Sequence, residues 1–487
     1  MHIRAALPFA CCLALSLLCA CNSKSTGTTS PGSDGGTDAM DLPEVALAGP
    51  DTATADAAKS DTTASDGRGD TLPADAVTPD VAVCDHRLEN LACWQSMTVG
   101  SFENPFSPWS TMFDGRYLNF LENDTAICTT SRFDTTATGD FASPPQGAWT
   151  SFTADPRFQS LAFDGHYIYL LPKVSASLTV DRTLDECIAQ RFDPQKSGST
   201  EKFSLTKAFG TATSPMPGFK GGAFDGRYLY FAPASAGFQS SGLATRYDTQ
   251  ADFASAAAWT TFDLTTLWPN AKGFQGGVFD GRYVYFLPYA TTPSNPSSDM
   301  VAGSLLVRLD STADFQDPKA WESFDLATLD PAAAGFWGGT FDGRYVYLSP
   351  GWSSTSKSIA VRFDSTGSFG AASSFSTFNI HSLGSGSLGR SFSFRGATFD
   401  GRYVYFSPTT DGDLFVRVDS SGDFSAKTAW QSFALYNLTS FASFSADSGI
   451  TFDGRYVYIV SGGKFAIYRF DATASPSLPP LLTRSFL

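Results

Sequence analysis

Side chains suited to nucleophilic, acid–base or metal chemistry are sparse in this sequence. Its four histidines are His2, His86, His166 and His381, so a Ser-His-Asp triad or a histidine metal site would rest on one or two of them. No Gly-x-Ser-x-Gly, His-Glu-x-x-His or phosphate-loop motif occurs, which removes the usual markers of common hydrolases and nucleotide enzymes. We therefore predict no catalytic residue, no metal and no cofactor. Carboxylate pairs that cleave glycosides stay open as an alternative, because their spacing is a three-dimensional property.

The best candidates for ligand binding come from one variable position in a repeated motif. Phe-Asp-Gly-Arg-Tyr or a near copy begins at Phe113, Phe163, Phe224, Phe279, Phe341, Phe399 and Phe452. Four residues before each Phe stand, in order, Trp109, Gln159, Lys220, Gln275, Trp337, Arg395 and Ser448. The next position always holds Ser or Gly, which we interpret as crowding near a central axis. Loop aromatics such as Trp268, Phe274 and Tyr289 are expected on the same face. Aromatic, amide and cationic side chains together suit a glycan or a peptide; plugging and loop packing are the alternative interpretation.

Four of the eight cysteines are expected in the mature folded part. Two disulfides are predicted from them, Cys84 with Cys93 and Cys128 with Cys187, out of three possible connectivities. The second pair is favoured because Cys128 and Cys187 each stand four residues before the Arg of a repeated Arg-Phe-Asp segment. Zinc is disfavoured, since no Cys-x-x-Cys spacing occurs and His86 is the only nearby histidine.

The elements that must hold these side chains are predicted to be β-strands. Each motif reads as a hairpin around an Asp-Gly turn, followed by a strand with Arg-x-Asp and a fourth strand such as Trp321-Glu-Ser-Phe. Successive motifs start 50 to 62 residues apart. Four strands in each of seven units predict an all-β fold, a seven-bladed β-propeller spanning 84–487. A solenoid is the rival, but its coils are shorter than these units.

The ring needs an outer strand for its last blade, and two segments compete for that place. Trp94-Gln-Ser-Met-Thr-Val near the start and Thr483-Arg-Ser-Phe near the end both resemble the fourth-strand pattern. The sequence leaves the choice open.

From about residue 94 to 487 the pattern resembles the broad class of kelch, WD40 and related bacterial propellers. The WD40 Gly-His and Trp-Asp signatures are absent, so the resemblance is one of architecture. It implies a rigid ring with variable loops and identifies no enzyme subfamily.

The Asp and Arg residues that recur in every repeat are predicted to be structural. They form turns and pairs between strands, because a residue that every blade carries serves the blade. Asp-rich turns such as Asp310–Asp314 are interpreted as Asx-turns. Calcium is the alternative, although the 12-residue loop with a terminal Glu is missing.

The amino terminus is predicted to be an export signal. Residues 1–20 carry Arg4 and a short apolar run that ends in Leu18-Cys19-Ala20-Cys21, which resembles the bacterial lipobox. The resemblance implies cleavage before Cys21, acylation of Cys21 and a lipid anchor, with Asn22 pointing to the outer membrane. An ordinary signal peptide is the alternative.

Residues 21–83 are predicted to be a disordered tether between the lipidated cysteine and the ring. The segment after Cys21 holds 11 acidic residues against Lys24, Lys59 and Arg68, with almost no aromatics, so it cannot bury enough apolar surface to fold.

The whole chain has a net charge of −15, which disfavours broad electrostatic binding to nucleic acid. The sequence thus predicts a monomeric, envelope-anchored binding module for a glycan or an envelope protein. A polysaccharide-acting enzyme with carboxylates on the loop face is the alternative.

Overall fold

A computed structural model describes much of the second of the two compact units into which the chain divides, 1–77 and 78–487. The described residues are 84–98, 108–123, 128–154, 158–172, 187–196, 200–209, 218–236, 239–291, 301–351, 357–384, 393–409, 414–438, 449–461, 466–472 and 485–486. The predicted signal, Cys21 and tether lie outside them. Their boundaries stay predictions.

Seven four-stranded antiparallel sheets form the blades of a propeller, as the repeats predict. In each of the first six blades the strands follow chain order from the inside outwards. They are β2 (Pro108–Phe113), β3 (Tyr117–Asn123), β4 (Cys128–Asp134) and β5 (Trp149–Ala154); β6 (Phe158–Phe163), β7 (Ile168–Pro172), β8 (Ile188–Phe192) and β9 (Thr200–Ser204); β10 (Gly218–Phe224), β11 (Tyr228–Ala236), β13 (Leu243–Asp248) and β14 (Trp259–Asp263); β15 (Phe274–Phe279), β16 (Tyr283–Pro288), β19 (Leu305–Asp310) and β20 (Trp321–Asp325); β21 (Phe336–Phe341), β22 (Tyr345–Pro350), β23 (Ile359–Asp364) and β24 (Phe375–Asn379); and β25 (Phe394–Phe399), β26 (Tyr403–Pro408), β27 (Leu414–Asp419) and β28 (Trp430–Ala434).

The seventh blade is closed by the amino-terminal candidate. Its inner strands are β29 (Ile450–Phe452), β30 (Tyr456–Ser461) and β31 (Ala466–Asp471), and β1 (Trp94–Thr98) pairs with β31 from Trp94↔Phe470 to Thr98↔Ala466. The innermost strands contact one another in a complete cycle, with β29 returning to β2. An antiparallel strand from the beginning of the chain therefore covers the edge that the last blade would otherwise expose.

The carboxyl-terminal candidate takes a different place. Strand β32 (Ser485–Phe486) pairs with β10, the innermost strand of the third blade, through Gly222↔Phe486 and Ala223↔Ser485. It also lies against β6, β15 and β21. This strand adds to the inner edge of a blade, inside the cycle of innermost strands.

Short elements fill the connections. Strands β12 (Gln239–Ser240), β17 (Ala290–Thr291) and β18 (Val301–Ala302) extend hairpins, and one α-helix, α1, spans Leu205–Phe209. The 3-10 turns are Leu91–Cys93, Ala256–Ala258, Leu264–Thr266, Pro318–Ala320, Leu326–Thr328, Ala372–Ser374, Ile380–Leu383, Lys427–Ala429 and Leu435–Asn437. No described helix has the length and apolar character needed to span a membrane.

The repeated polar residues hold the hairpins together, as predicted. In the fourth blade Asp280 Oδ1 accepts the backbone N–H groups of Arg282 and Tyr283, and its Oδ2 accepts the hydroxyl of Tyr285. Arg282 pairs with Asp310 at 2.6 Å. Asp310 is thereby engaged in an ion pair and a turn, so the interpretation of its segment as an Asx-turn holds.

The Arg of each Arg-x-Asp segment has a further role that its spacing does not reveal. Arg308 lies 3.9 Å from the ring centre of Tyr283 in its own blade and 4.3 Å from that of Phe369 in the next. Stacked between aromatic rings, the guanidinium joins neighbouring blades through cation–π contacts.

Tryptophans of the outer strands seal the blade interfaces. Trp321 donates its indole N–H to the carbonyl of Phe315 and stacks on Phe262 of the preceding blade, with ring centres 5.3 Å apart. Trp94 in the closing strand does the same with the Leu88 carbonyl and Phe433. The closing strand therefore packs like an ordinary fourth strand.

One of the two predicted disulfides is present, between Cys84 and Cys93. Burial raises the pKa of the Cys187 thiol to about 12. The side chain of Cys128 lies outside the described residues, so the pairing of Cys128 with Cys187 stays a prediction.

Candidate functional site at the channel mouth

The variable position lies in a β-bulge of the innermost strand. In the fourth blade the register changes between Phe274↔Pro288 and Gly277↔Phe286, which leaves one extra residue on β15. The same shift occurs between Phe336 and Gly339 in β21 and between Phe394 and Ala397 in β25. A bulge re-aims a side chain at the place where the ladder is interrupted. Gln275, Trp337 and Arg395 each begin such a bulge.

Glycine follows the variable residue in these blades for a conformational reason. Gly276 and Gly338 have φ values of 78° and 92°, a region that residues with a Cβ rarely adopt. Close packing is observed at the next residue, because a Cβ on Gly277 would lie 2.7 Å from the carbonyl carbon of Gly222. Crowding at the residue that directly follows the variable one stays a prediction.

Four side chains converge at the end of the channel where the innermost strands begin. The Arg395 guanidinium lies 3.5 Å from the ring centre of Trp337, and the Lys220 ammonium lies 5.8 Å from it. Tyr289, directly after β16, meets Trp337 edge-to-face at 4.9 Å and is 5.4 Å from Lys220. These residues come from the third to sixth blades. Together with Gln275 we call them the mouth cluster.

Trp337 lies at the centre of the cluster, and its position requires a residue without a Cβ at Gly351. A Cβ on Gly351 would lie 2.5 Å from the Cβ of Trp337. Arg395 covers one face of the indole, so that face is not open to stack on a sugar ring. This geometry weakens the expectation of a free aromatic platform and replaces it with a cation-lined one.

Gln275 supplies a buried polar atom at the mouth. Its side chain is 5% exposed, and its Oε1 accepts no hydrogen bond from the described residues. Burial also raises the pKa of Tyr289, against the opposing charge of Arg395, so its hydroxyl stays protonated at neutral pH and can donate.

The mouth cluster contains four of the six residues predicted from the sequence. Trp109 and Gln159 occupy the equivalent backbone positions in β2 and β6, but their side chains lie outside the described residues, as does Ser448. Tyr289 was expected only as a loop aromatic. Two other such aromatics belong to the core instead, since Phe274 is 1% exposed and Trp268 packs against the cluster between the third and fourth blades.

Carboxylates on the same side of the ring have structural partners. Asp263 and Asp325 cap the 3-10 turns that follow β14 and β20, and Asp330 pairs with Lys357 at 3.1 Å. His166 lies beside Asp193 at the hairpin end, where other blades have Arg. The five mouth-cluster residues include two cations and no carboxylate. Their chemistry is that of binding an electron-rich group.

Comparison with known proteins shows no family for this chain. No protein-family model matches the sequence, and no match is found among curated proteins. Solved structures with a similar fold include hydrazine synthase from Kuenenia stuttgartiensis, with 11% identity, a TM-score of 0.46 and coverage of 78% of this chain and 99% of that one.

Two further solved structures come from peptidases. A prolyl endopeptidase shows 14% identity, a TM-score of 0.44 and coverage of 77% of this chain and 48% of that one. The propeller domain of the Trilobed protease from Pyrococcus furiosus, which has an open velcro topology, shows 11% identity, a TM-score of 0.40 and coverage of 78% and 98%. At these values the similarity is one of fold alone.

Proposed function

We propose that this chain is a membrane-anchored binding module of a bacterial envelope, and that its channel mouth binds an acidic segment of a protein partner. The observation that carries this proposal is the convergence of Lys220 and Arg395 on Trp337. Cations beside an aromatic ring suit a ligand that brings carboxylates.

The sign of the ligand's charge follows from the contrast between the mouth and the rest of the chain. The chain as a whole has a net charge of −15, whereas the mouth cluster presents two cations on one indole. Cations at the mouth of an acidic chain favour a specific anionic ligand over general attraction to polyanions.

A peptide is favoured over a neutral sugar because Arg395 occupies the indole face on which a sugar ring would stack. β10, which carries Lys220, pairs through Gly222 and Ala223 with the extended segment β32, so extended polypeptide already lies close to the mouth.

The anchor is part of the same proposal and is supported by the sequence around Cys21. Two or three acyl chains on one residue give stable membrane attachment. In the producing bacterium, Cys21→Ser is expected to move the chain from the membrane fraction to the soluble fraction; unchanged membrane association would contradict acylation at this position.

Ligand binding is best tested with the soluble protein that contains the whole ring, and with matched pairs of charged and neutral probes. Glutamate-rich peptides and their glutamine counterparts, and uronate oligosaccharides and neutral ones, would be titrated by fluorescence anisotropy or calorimetry at low and high salt. Arg395→Ala and Trp337→Ala are each expected to weaken the acidic peptide about tenfold, whereas Lys319→Ala, an exposed cation on an outer connection, leaves it unchanged.

Other outcomes assign the site differently. Binding of uronates but not of peptides would replace the protein partner with an acidic glycan. Release of reducing ends from polysaccharide would revive the enzyme alternative. An affinity for acidic peptide that neither mouth variant changes would overturn the assignment of the mouth.

A further inference from the structure

A cluster of metal-ligating side chains lies at the ring closure, away from the mouth. Cys84 Sγ, Cys93 Sγ and a ring nitrogen of His86 all lie within 4.8 Å of one another. The Nδ1 of His86 is 3.5 Å from Cys84 Sγ and 3.7 Å from Asp471 Oδ1. Two sulfurs and an imidazole are donors that Zn²⁺ prefers, and the Asp471 carboxylate, outside this mutually close group, lies beside the imidazole.

The two distances that involve His86 Nδ1 agree with the edges of a tetrahedral zinc site, whereas the two sulfurs are joined in the disulfide and must separate when that bond is reduced. Zn–S bonds of about 2.3 Å and Zn–N bonds of about 2.05 Å at the tetrahedral angle place sulfur and nitrogen about 3.6 Å apart. With Zn–O of about 2.1 Å the nitrogen and oxygen lie about 3.4 Å apart. The observed separations of 3.5 and 3.7 Å are within about 0.3 Å of these values.

The surrounding residues hold the donors in place. His86 has a φ of 60°, which turns its ring back towards the cysteines, and Arg417 donates to its carbonyl at 3.0 Å. Arg455 holds Asp471 through Oδ2 at 2.8 Å, which orients Oδ1 towards His86. Partners that fix the orientation of a ligand in this way raise metal affinity.

We propose that this cluster is a redox-dependent zinc site, a disulfide when oxidised and a Cys84–His86–Cys93–Asp471 site for Zn²⁺ when reduced. A dithiol reductant supplies two electrons and two protons, converts the Cys84–Cys93 bond into two thiols and itself becomes a disulfide. Zn²⁺ then displaces both thiol protons into solvent and binds the two thiolates. His86 Nδ1 exchanges its 3.0 Å contact with the Asp471 carbonyl for the metal.

The location gives the exchange a structural consequence. The disulfide closes a loop within residues 84–93, just before the closing strand β1. The zinc site would also include Asp471, the last residue of β31, with which β1 pairs. In the reduced state the metal would therefore tie the beginning of the ring to its end and stabilise the closed form.

The test uses the full chain with every cysteine other than Cys84 and Cys93 changed to serine, so that no other thiol contributes. After reduction with a trialkylphosphine, equilibrium dialysis is expected to give one Zn²⁺ per chain. Co²⁺ is expected to give the visible bands of tetrahedral thiolate coordination, and Zn²⁺ is expected to raise the Tm. The oxidised chain is expected to show none of these effects.

His86→Asn is the decisive variant, because Asn tolerates the left-handed backbone at this position. It is expected to weaken Zn²⁺ binding at least about tenfold while the oxidised variant unfolds like the parent. His166→Gln, the matched control beside Asp193, is expected to bind Zn²⁺ as the parent does. Absence of stoichiometric Zn²⁺ in the reduced chain, or equal affinity in His86→Asn, would overturn the proposal.

Discussion

At the scale of single residues, basic side chains have two different roles in this ring. The hairpin arginines pair with the Asp of the third strand, as Arg344 does with Asp364 at 2.7 Å. Arg395 and Lys220 instead meet an indole at the channel mouth. Repetition separates the two classes, because a residue present in every blade supports the blade, whereas the variable position is the one at which we propose ligand binding.

The hairpin pairs predict how stability depends on pH. Hydrogen bonds from Arg344 lower the pKa of Asp364 to about 2, against a smaller effect of burial. A depressed folded-state pKa contributes stability above the unfolded pKa of about 3.9 and loses it as the pH falls towards 2. Arg344→Gln should therefore destabilise the ring at neutral pH only slightly, since Arg344 is largely exposed and solvent screens the pair.

Urea unfolding between pH 7 and pH 2 measures this effect. The difference between parent and Arg344→Gln is expected to shrink as the pH falls from about 4 to about 2. Lys319→Gln removes the same charge without touching a hairpin and is expected to show no such trend. A difference that stays constant down to pH 2 would show that the pair contributes nothing through ionisation of Asp364.

At the scale of elements, the sequence predicts the hairpins and the blade count correctly but not the bulges. Asp-Gly turns and alternating strands are local signals. The bulge at Gln275 and Gly276 depends on the register between β15 and β16. That register could not be predicted from the short segment Phe-Gln-Gly-Gly. From the sequence, the small residues after the variable position are attributed to crowding, and the pattern does not reveal the positive φ that also favours glycine at Gly276.

Where glycine does reflect crowding, a substitution should show it. Gly277→Ala places a Cβ 2.7 Å from the carbonyl carbon of Gly222 in the neighbouring blade. Overpacking against backbone is expected to cost about 1 to 3 kcal/mol of unfolding free energy. Gly370→Ala, where a Cβ meets nothing within 4 Å, is the matched control and should be neutral. Equal midpoints of denaturant unfolding for the two variants would contradict the close contact between β10 and β15.

At the scale of the whole molecule, the sequence leaves ring closure open and pairing decides it. Two segments carry fourth-strand patterns, and only a register between residues 94–98 and 466–470 distinguishes them. From the sequence, zinc is disfavoured at the cysteines because His86 is the only nearby histidine, and the proposed site adds Asp471. Asp471 lies 387 residues from Cys84 in the chain, so no spacing rule could connect them, and closure brings them together.

Because β1 closes the last blade and β32 lies inside the ring, changes in the two strands are expected to affect stability differently. Met97 in β1 is 1% exposed and packs with Leu118, Tyr458 and Ile467 across the seam. Met97→Ala is therefore expected to cost about 2 to 5 kcal/mol. A chain ending at residue 480 lacks β32 but keeps β1, so its unfolding midpoint should stay close to that of the parent. Because β32 lies against the strand that carries Lys220, the same truncation should change affinity for the acidic peptide while leaving the ring closed. If truncation destabilised the chain as much as Met97→Ala, β32 would be a structural part of the ring, and the inner edge of β10 would not be available to a partner.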